Sequence, residues 1–297
     1  MKTKDETHGE TGMAFDLTHA RHDPAHCLAP GLFRSLKRGD RKKLKLDVTY
    51  QYGEGEQIEF KGPEPLGVDD LRILQGLIAM GGPKGIILTS EPTFEPAKQL
   101  RLFLEPKWEA ATQDALVVKG SYRHLAKEIG YLDIEGGDVF RRIRLCLERL
   151  WMVSIIVQSG KRRMGFKLLS EYASDEVDGK LFVALNPRIA EAILGRRPHA
   201  RIEMDEVRKL KTDPARLMHQ RLCGWIDPGK SGKVEIDTLC AYVWPDVSNN
   251  ETMKKRRQTA RKALAEIASV DWVIEEYAKG KFEIVRSNAV SNLRIAK

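Results

Sequence analysis

One order of elements occurs twice in this chain, and a repeat of that kind constrains the fold to two copies of one unit. Residues 117–169 read as a short helix (Ser121 to Ile129), a connector (Gly130 to Gly137), a longer helix (Asp138 to Leu150), a strand (Trp151 to Gln158), a basic turn over Ser159-Gly160-Lys161-Arg162-Arg163, and a strand (Gly165 to Leu169). Residues 233–285 repeat it: short helix (Ile236 to Val243), connector (Trp244 to Asn250), long helix (Glu251 to Ser269), strand (Trp272 to Tyr277), turn (Ala278 to Lys281) and strand (Phe282 to Arg286). A Trp follows each long helix, and a glycine suited to a wing turn comes soon after, Trp151 to Gly160 and Trp272 to Gly280. Helix, turn, helix and a two-stranded wing make a winged-helix unit. The expected fold class is therefore α+β, with two tandem winged-helix (helix-turn-helix plus β-wing) domains.

Each unit needs a further helix to close its core, and Asp69 to Met80 and Pro214 to Ile226 have the required periodicity. Leu46 to Phe60 alternates around Gly53-Glu54-Gly55 as a leading hairpin. Leu181 to Leu185 and Pro187 to Leu194 add a strand and a helix with Pro at its first position. The expected division is a flexible extension over 1–37, polar and broken by Asp23-Pro24, an N-terminal winged-helix domain over 38–200, a C-terminal DNA-binding one over 201–290, and a tail over 291–297.

The sharpest chemical signal lies in the second long helix. Met253 to Lys262 carries six cations and no acid. Helical spacing puts Met253, Ala260, Leu264 and Ile267 on one face and Lys255, Gln258 and Lys262 opposite, flanked by Lys254 and Arg261. Such a helix can pack while presenting cations and one amide to a major groove, where Lys and Arg reach guanine edges or phosphates and Gln pairs with adenine. Lys254, Lys255, Arg257, Gln258, Arg261 and Lys262, with the wing residues Lys279 and Lys281, are the expected contacts to double-stranded DNA. A merely solvated cationic face is the bland alternative. In the first unit, Arg141 and Arg144 beside Glu148, and Lys161, Arg162 and Arg163 in the wing, suit phosphates or, nearly as well, a protein surface. The net charge of +8 and pI near 9.2 also favour anionic partners.

Other chemistry finds less support. Gly224-Trp225-Ile226-Asp227-Pro228-Gly229-Lys230-Ser231 formally matches the P-loop pattern, yet a P-loop needs a strand before it and a helix after it. Here the preceding residues have helical periodicity, so the stretch reads as an Asp-Pro-Gly turn between two helices. His22 and His26 are spaced as metal ligands could be, but Pro24 separates them and no third ligand is regularly placed; solvated imidazoles are the simpler reading. No His-x-His occurs among the 7 histidines, and no catalytic constellation stands out, so no catalytic, cofactor or metal residue is assigned. Cys27, Cys146, Cys223 and Cys240 are scattered without a C-x-x-C pair, which suits a reducing cytoplasm. No apolar run is long enough to span a bilayer, and the first residues are polar, so a bacterial cytoplasmic protein is expected.

Ala20–Phe33, Leu71–Leu77, Leu102–Glu109, Leu169–Glu176 and the stretch His219-Gln220-Arg221-Leu222-Cys223-Gly224-Trp225-Ile226-Asp227-Pro228-Gly229-Lys230 resemble the RepC-type initiators of IncQ plasmids, within the wider class of iteron-binding Rep proteins. The resemblance implies binding to directly repeated iterons at a plasmid origin, opening of an adjacent AT-rich region, and recruitment of a plasmid-encoded helicase and primase. It also implies that the near P-loop belongs to a protein that is not itself the ATPase. A winged-helix repressor and a P-loop enzyme are the competing readings; two units with different exposed faces favour asymmetric direct repeats over a palindrome. A homodimer is left open.

Overall fold

The computed structural model describes residues 15–53, 55–82, 86–88, 115–131, 134, 137–175 and 179–288. The expected tail over 291–297, the family-like stretch Leu102–Glu109 and part of the connector Gly130 to Gly137 lie outside these residues.

The chain opens with strand β1 (His19–His22), helix α1 (Pro24–Leu28) and the single-turn helix α2 (Asp40–Lys43). Asp23, in extended conformation, starts α1 by accepting the Ala25 N–H at 2.8 Å, with Pro24 at the position where a missing N–H is harmless. The hairpin β2 (Leu46–Tyr52) and β3 (Glu56–Gly62) follows, and then α3 (Val68–Gly81). Every residue of α3 except Asp69 is buried, which makes it the central helix. Next come β4 (Ile86–Leu88), β5 (Ala115–Ser121), α4 (Tyr122–Glu128), α5 (Gly137–Met152), β6 (Ser154–Ser159), β7 (Arg162–Lys167), β8 (Leu169–Asp175), β9 (Lys180–Leu185) and α6 (Pro187–Ile193). The last third holds β10 (Ala200–Glu203), α7 (Met204–Lys209), α8 (Asp213–Trp225), β11 (Ser231–Glu235), α9 (Ile236–Val243), α10 (Asn250–Ala268), β12 (Trp272–Ala278) and β13 (Lys281–Arg286).

The final segment has the order α8-β11-α9-α10-β12-β13, and its sheet runs β11-β13-β12, all antiparallel. This is a winged-helix-like arrangement. The earlier segment has the same sequence of elements but pairs them differently. Its β5 joins a sheet of order β4-β5-β9-β8, and its hairpin β6-β7 continues the leading hairpin as β2-β3-β6-β7. The expected two-stranded wing is thus the outer half of a four-stranded sheet, because Ile155 and Val157 of β6 are buried opposite Phe60 and Ile58 of β3.

Three expectations need correction. The flexible extension over 1–37 is packed wherever it is described, from residue 15: β1 pairs with β10, and His22 and His26 are fully buried rather than solvated. The strand expected from Trp151 begins only at Ser154, since α5 continues through Met152; Val153 takes the core position and Trp151 is 40% exposed, against 2% for Trp272. The two tryptophans are therefore not equivalent. The Asp227-Pro228-Gly229 turn joins helix α8 to strand β11, not two helices, with Gly229 at φ +79°.

One contiguous core runs from Leu17 to Ile284. Among the described residues no helix is long and apolar enough to cross a membrane.

Candidate nucleic-acid interface

Helix α10 starts where the Asn249 side chain accepts the Thr252 N–H at 2.8 Å. Ala260, Ala263, Leu264 and Ile267 are buried, and Met253 packs half-buried against the same core. This leaves the basic face outward, but most of its cations have partners. Arg256 donates to the carbonyl oxygens of Trp244 and Asp246, at 3.3 and 2.8 Å, and so braces the connector ahead of its own helix. Arg257 makes a two-pronged contact with Asp237 of α9, at 2.6 and 2.7 Å. Arg261 pairs with Glu276 of β12 at 2.8 Å, and Lys255 with Glu251 one turn back at 3.0 Å. The hydrogen bonds from Arg257 hold the Asp237 carboxyl below its ordinary pKa, and those from Arg261 and the Gly280 N–H do the same for Glu276. Both acids therefore remain charged counterions near neutral pH.

Lys254, Gln258 and Lys262 differ from these. All three are exposed, and among the described residues their side chains have no ionic or hydrogen-bonding partner. Their i, i+4, i+8 spacing sets them in one row along the helix. Of the six cations that make this segment conspicuous, Lys254 and Lys262 therefore have no partner among the described residues, and they flank the one amide that could read a base edge. The wing presents Lys279 exposed beside Gly280, whose φ of +74° forms the turn, while Lys281 lies 3.6 Å from Glu235.

The earlier segment offers a sparser basic surface. Arg141 is exposed on α5, but Arg144, expected to be exposed, is half-buried and engaged with the protein. On the helix its neighbours in the sequence pattern are the buried Ile143 and Leu147. Glu148 is half-buried as well. Lys161, Arg162 and Arg163 are exposed at the β6-β7 turn, with Arg163 3.4 Å from Glu59.

Among the described residues, two groups of side chains have ligand-type atoms within 4.8 Å of one another. In Glu206–His219–Cys223, the Glu206 carboxylate already accepts from His219 and, at 3.1 Å, from the Trp272 indole N–H. In Asp16–His124–Glu128, Glu128 accepts the backbone N–H groups of Asp16 and Leu17 at 3.0 and 2.9 Å. Both read as structural polar networks. His22 and His26 meet edge to face at 5.8 Å. The near P-loop has helix α8 before it and strand β11 after it, the reverse of the strand-loop-helix order that aims amides at a phosphate. Its Gly224 is explained by packing, since a Cβ there would lie 2.5 Å from the Cys27 Cβ.

Among curated proteins none matches the chain. Two crystal structures of domains 2 and 3 of RctB share its fold, one with a TM-score of 0.54 at 12% identity, covering 88% of this chain and 97% of that one, and one with 0.55 at 11%, covering 91% and 99%. A crystal structure of the Pi initiator protein in complex with iteron DNA has a TM-score of 0.41 at 14% identity, covering 58% of this chain and 81% of that one. Residues 14–288, nearly the whole chain, match the family of replication protein C, and the chain belongs to that RepC family of replication initiators.

Proposed function

We propose that this protein initiates plasmid replication by binding directly repeated iterons through two winged-helix units, as in the IncQ-type initiators it resembles. Helix α10 enters a major groove, with Lys254 and Lys262 on phosphates or guanine edges and Gln258 against adenine. Lys279 follows the backbone from the wing. Lys255, Arg257, Arg261 and Lys281 reach phosphates by exchanging their present carboxylate partners. Arg141, Lys161, Arg162 and Arg163 supply a weaker, sequence-independent contact from the first unit. Binding then opens an adjacent AT-rich region and delivers the site to a plasmid-encoded helicase and primase. The chain acts by binding and not by catalysis, in the bacterial cytoplasm.

The observation that carries this reading is the unneutralised Lys254–Gln258–Lys262 row on an exposed helix in a RepC-family chain. The test uses duplexes carrying any direct repeats that lie beside the gene, and scrambled versions, at matched salt. Gln258→Ala should cost about 1–3 kcal/mol on the repeats and little on scrambled DNA. Lys254→Ala should weaken both alike and reduce the salt slope by about 0.9 per lost contact. A combined Lys254→Ala, Gln258→Ala, Lys262→Ala variant that binds the repeats as tightly as the wild type would eliminate α10 as the reader.

A further inference from the structure

Residues 36–45 carry six cationic side chains, Lys37, Arg38, Arg41, Lys42, Lys43 and Lys45, against the single carboxylate of Asp40. The fold separates them. Arg41 turns inward and donates to the Pro65 carbonyl at 2.8 Å and to Asp70 at 3.0 Å. Asp40 is also engaged, accepting the Lys37 N–H at 2.8 Å. The other five cations are exposed, and among the described residues none of their side chains has an ionic or hydrogen-bonding partner.

A solvated cationic run is ordinarily a loose loop, but this one is held. Gly39, at φ +92°, turns the chain into α2, which fixes Lys42 and Lys43. Arg41 lies so close to the start of α3 that a Cβ at Gly67 would sit 2.9 Å from its guanidinium. Just upstream, Arg34 forms an ion pair with Asp246, and the Ser35 N–H donates to the Val243 carbonyl at 3.1 Å; both partners belong to the junction leading from α9 into α10. Downstream, Asp70 receives Arg149 of α5 at 2.8 Å as well as Arg41. The segment is thus tied in front to the approach to one basic helix and behind to the last turn of the other. Five like charges held together repel one another, and that repulsion is relieved when a polyanion lies along them.

We propose that Lys37, Arg38, Lys42, Lys43 and Lys45 form a third DNA contact, a clamp on the phosphodiester backbone of the duplex between the two recognition helices. The inference rests on the reading of α10 and α5 as DNA-facing. A backbone clamp carries no sequence information, so it raises affinity for any duplex by the same factor.

The experiment follows the full chain binding a random-sequence duplex by fluorescence anisotropy from about 50 to 200 mM salt. Lys42→Gln, Lys43→Gln and Lys45→Gln together should flatten the dependence of log K on log salt by about 0.9 for each phosphate lost. The corresponding three Lys→Arg changes should retain the wild-type slope. Lys37→Gln with Arg38→Gln is a second variant, and thermal melting confirms that each remains folded. A wild-type slope in both Gln variants, alongside a flattened slope in Lys254→Gln with Lys262→Gln, would overturn the clamp while leaving the α10 reading intact. An acidic protein as the occupant would give that same overturning result. Failure of the wild-type chain to bind any duplex would overturn both.

Discussion

Gly224→Ala tests the docking of the N-terminal segment and the meaning of the near P-loop together. Gly224 lies inside α8, where Ala is intrinsically better than Gly by about 1 kcal/mol. Against this, the new methyl would stand 2.5 Å from the Cys27 Cβ and 3.4 and 3.5 Å from the Leu28 Cδ2 and Cγ. Carbon atoms pack at about 3.5–4.0 Å, so α1 would have to retreat by roughly 1 Å. It has no rotamer by which to do so, because a Cβ moves only with its backbone. That backbone is held by the Tyr242 hydroxyl on the Cys27 carbonyl at 2.6 Å and by Arg221 on the Leu28 carbonyl at 3.3 Å. Overpacking costs about 1–3 kcal/mol, and a clash this short belongs at the upper end, which leaves a net loss of about 2 kcal/mol. Urea unfolding should show a lower midpoint at unchanged slope, with melting lowered by about 3 °C. Lys230→Ala, at an exposed position, should leave stability unaltered. If Gly224→Ala is as stable as the wild type, the packing of α1 on α8 is wrong. If the wild type binds ATP and both variants lose it, the glycine serves a phosphate.

Trp272→Ala removes a 2% exposed indole that touches His219 edge to face and donates to Glu206; it should destabilise the chain by about 3–5 kcal/mol, and an unchanged urea midpoint would exclude Trp272 from the core. Burial lowers the pKa values of His22 and His26 to about 3, below the ordinary 6.5, so the unfolded chain binds protons first as the pH falls. Their contribution is therefore full above pH 6.5 and is lost from there toward pH 3; unfolding midpoints at pH 7 and 5 should differ, and the difference should shrink in His26→Gln. Arg257→Ala should flatten the salt dependence of binding to random duplex by about 0.9, whereas an unchanged slope means that Arg257 stays on Asp237 and does not reach a phosphate.

The helices of the repeat were legible because their apolar residues recur at helical spacing between glycine- and asparagine-marked connectors. The sequence places helices at 236–243 and 251–269, and the structure has them at Ile236–Val243 and Asn250–Ala268. Strand β11 was not legible. Ser231-Gly232-Lys233-Val234-Glu235 contains one aliphatic residue, and it is a strand because β13 supplies the partner, not because of its own pattern. The N-terminal segment was missed for a related reason: its buried side chains include two histidines, Asp23 and a cysteine, and a search for aliphatic alternation passes over them. The pairing of the basic site was not legible, because a run of cations within one helix gives no sign of carboxylates brought to it by folding. Asp237 is twenty residues from Arg257 and Glu276 fifteen from Arg261, each on a different element.

Those same pairings connect stability to recognition. Arg256, Arg257 and Arg261 tie α10 to the connector, to α9 and to the wing, so the helix's direction is fixed by the charges that border its open row. The fixing extends across the molecule. The N-terminal β1 pairs with β10 at the start of the last third, Gln75 of the central helix bonds Gln220 of α8, and Arg286 at the end of β13 donates to the carbonyls of Cys223, Ile226 and Arg201. Beneath them Glu206 joins His219 of α8 to Trp272 of β12. Burial pulls the His219 imidazole down, but the Cys223 sulfur and the Glu206 carboxylate prevail and raise its pKa to about 10, so it is a cation facing an anion at neutral pH. A buried pair of that kind is a poor source of net stability and a strong determinant of one geometry, because any displacement separates two desolvated charges. On the proposed reading, α5 and α10 are carried by one such core, so the spacing between the grooves they would meet is set by packing before DNA arrives, as recognition of repeats at a fixed period would require.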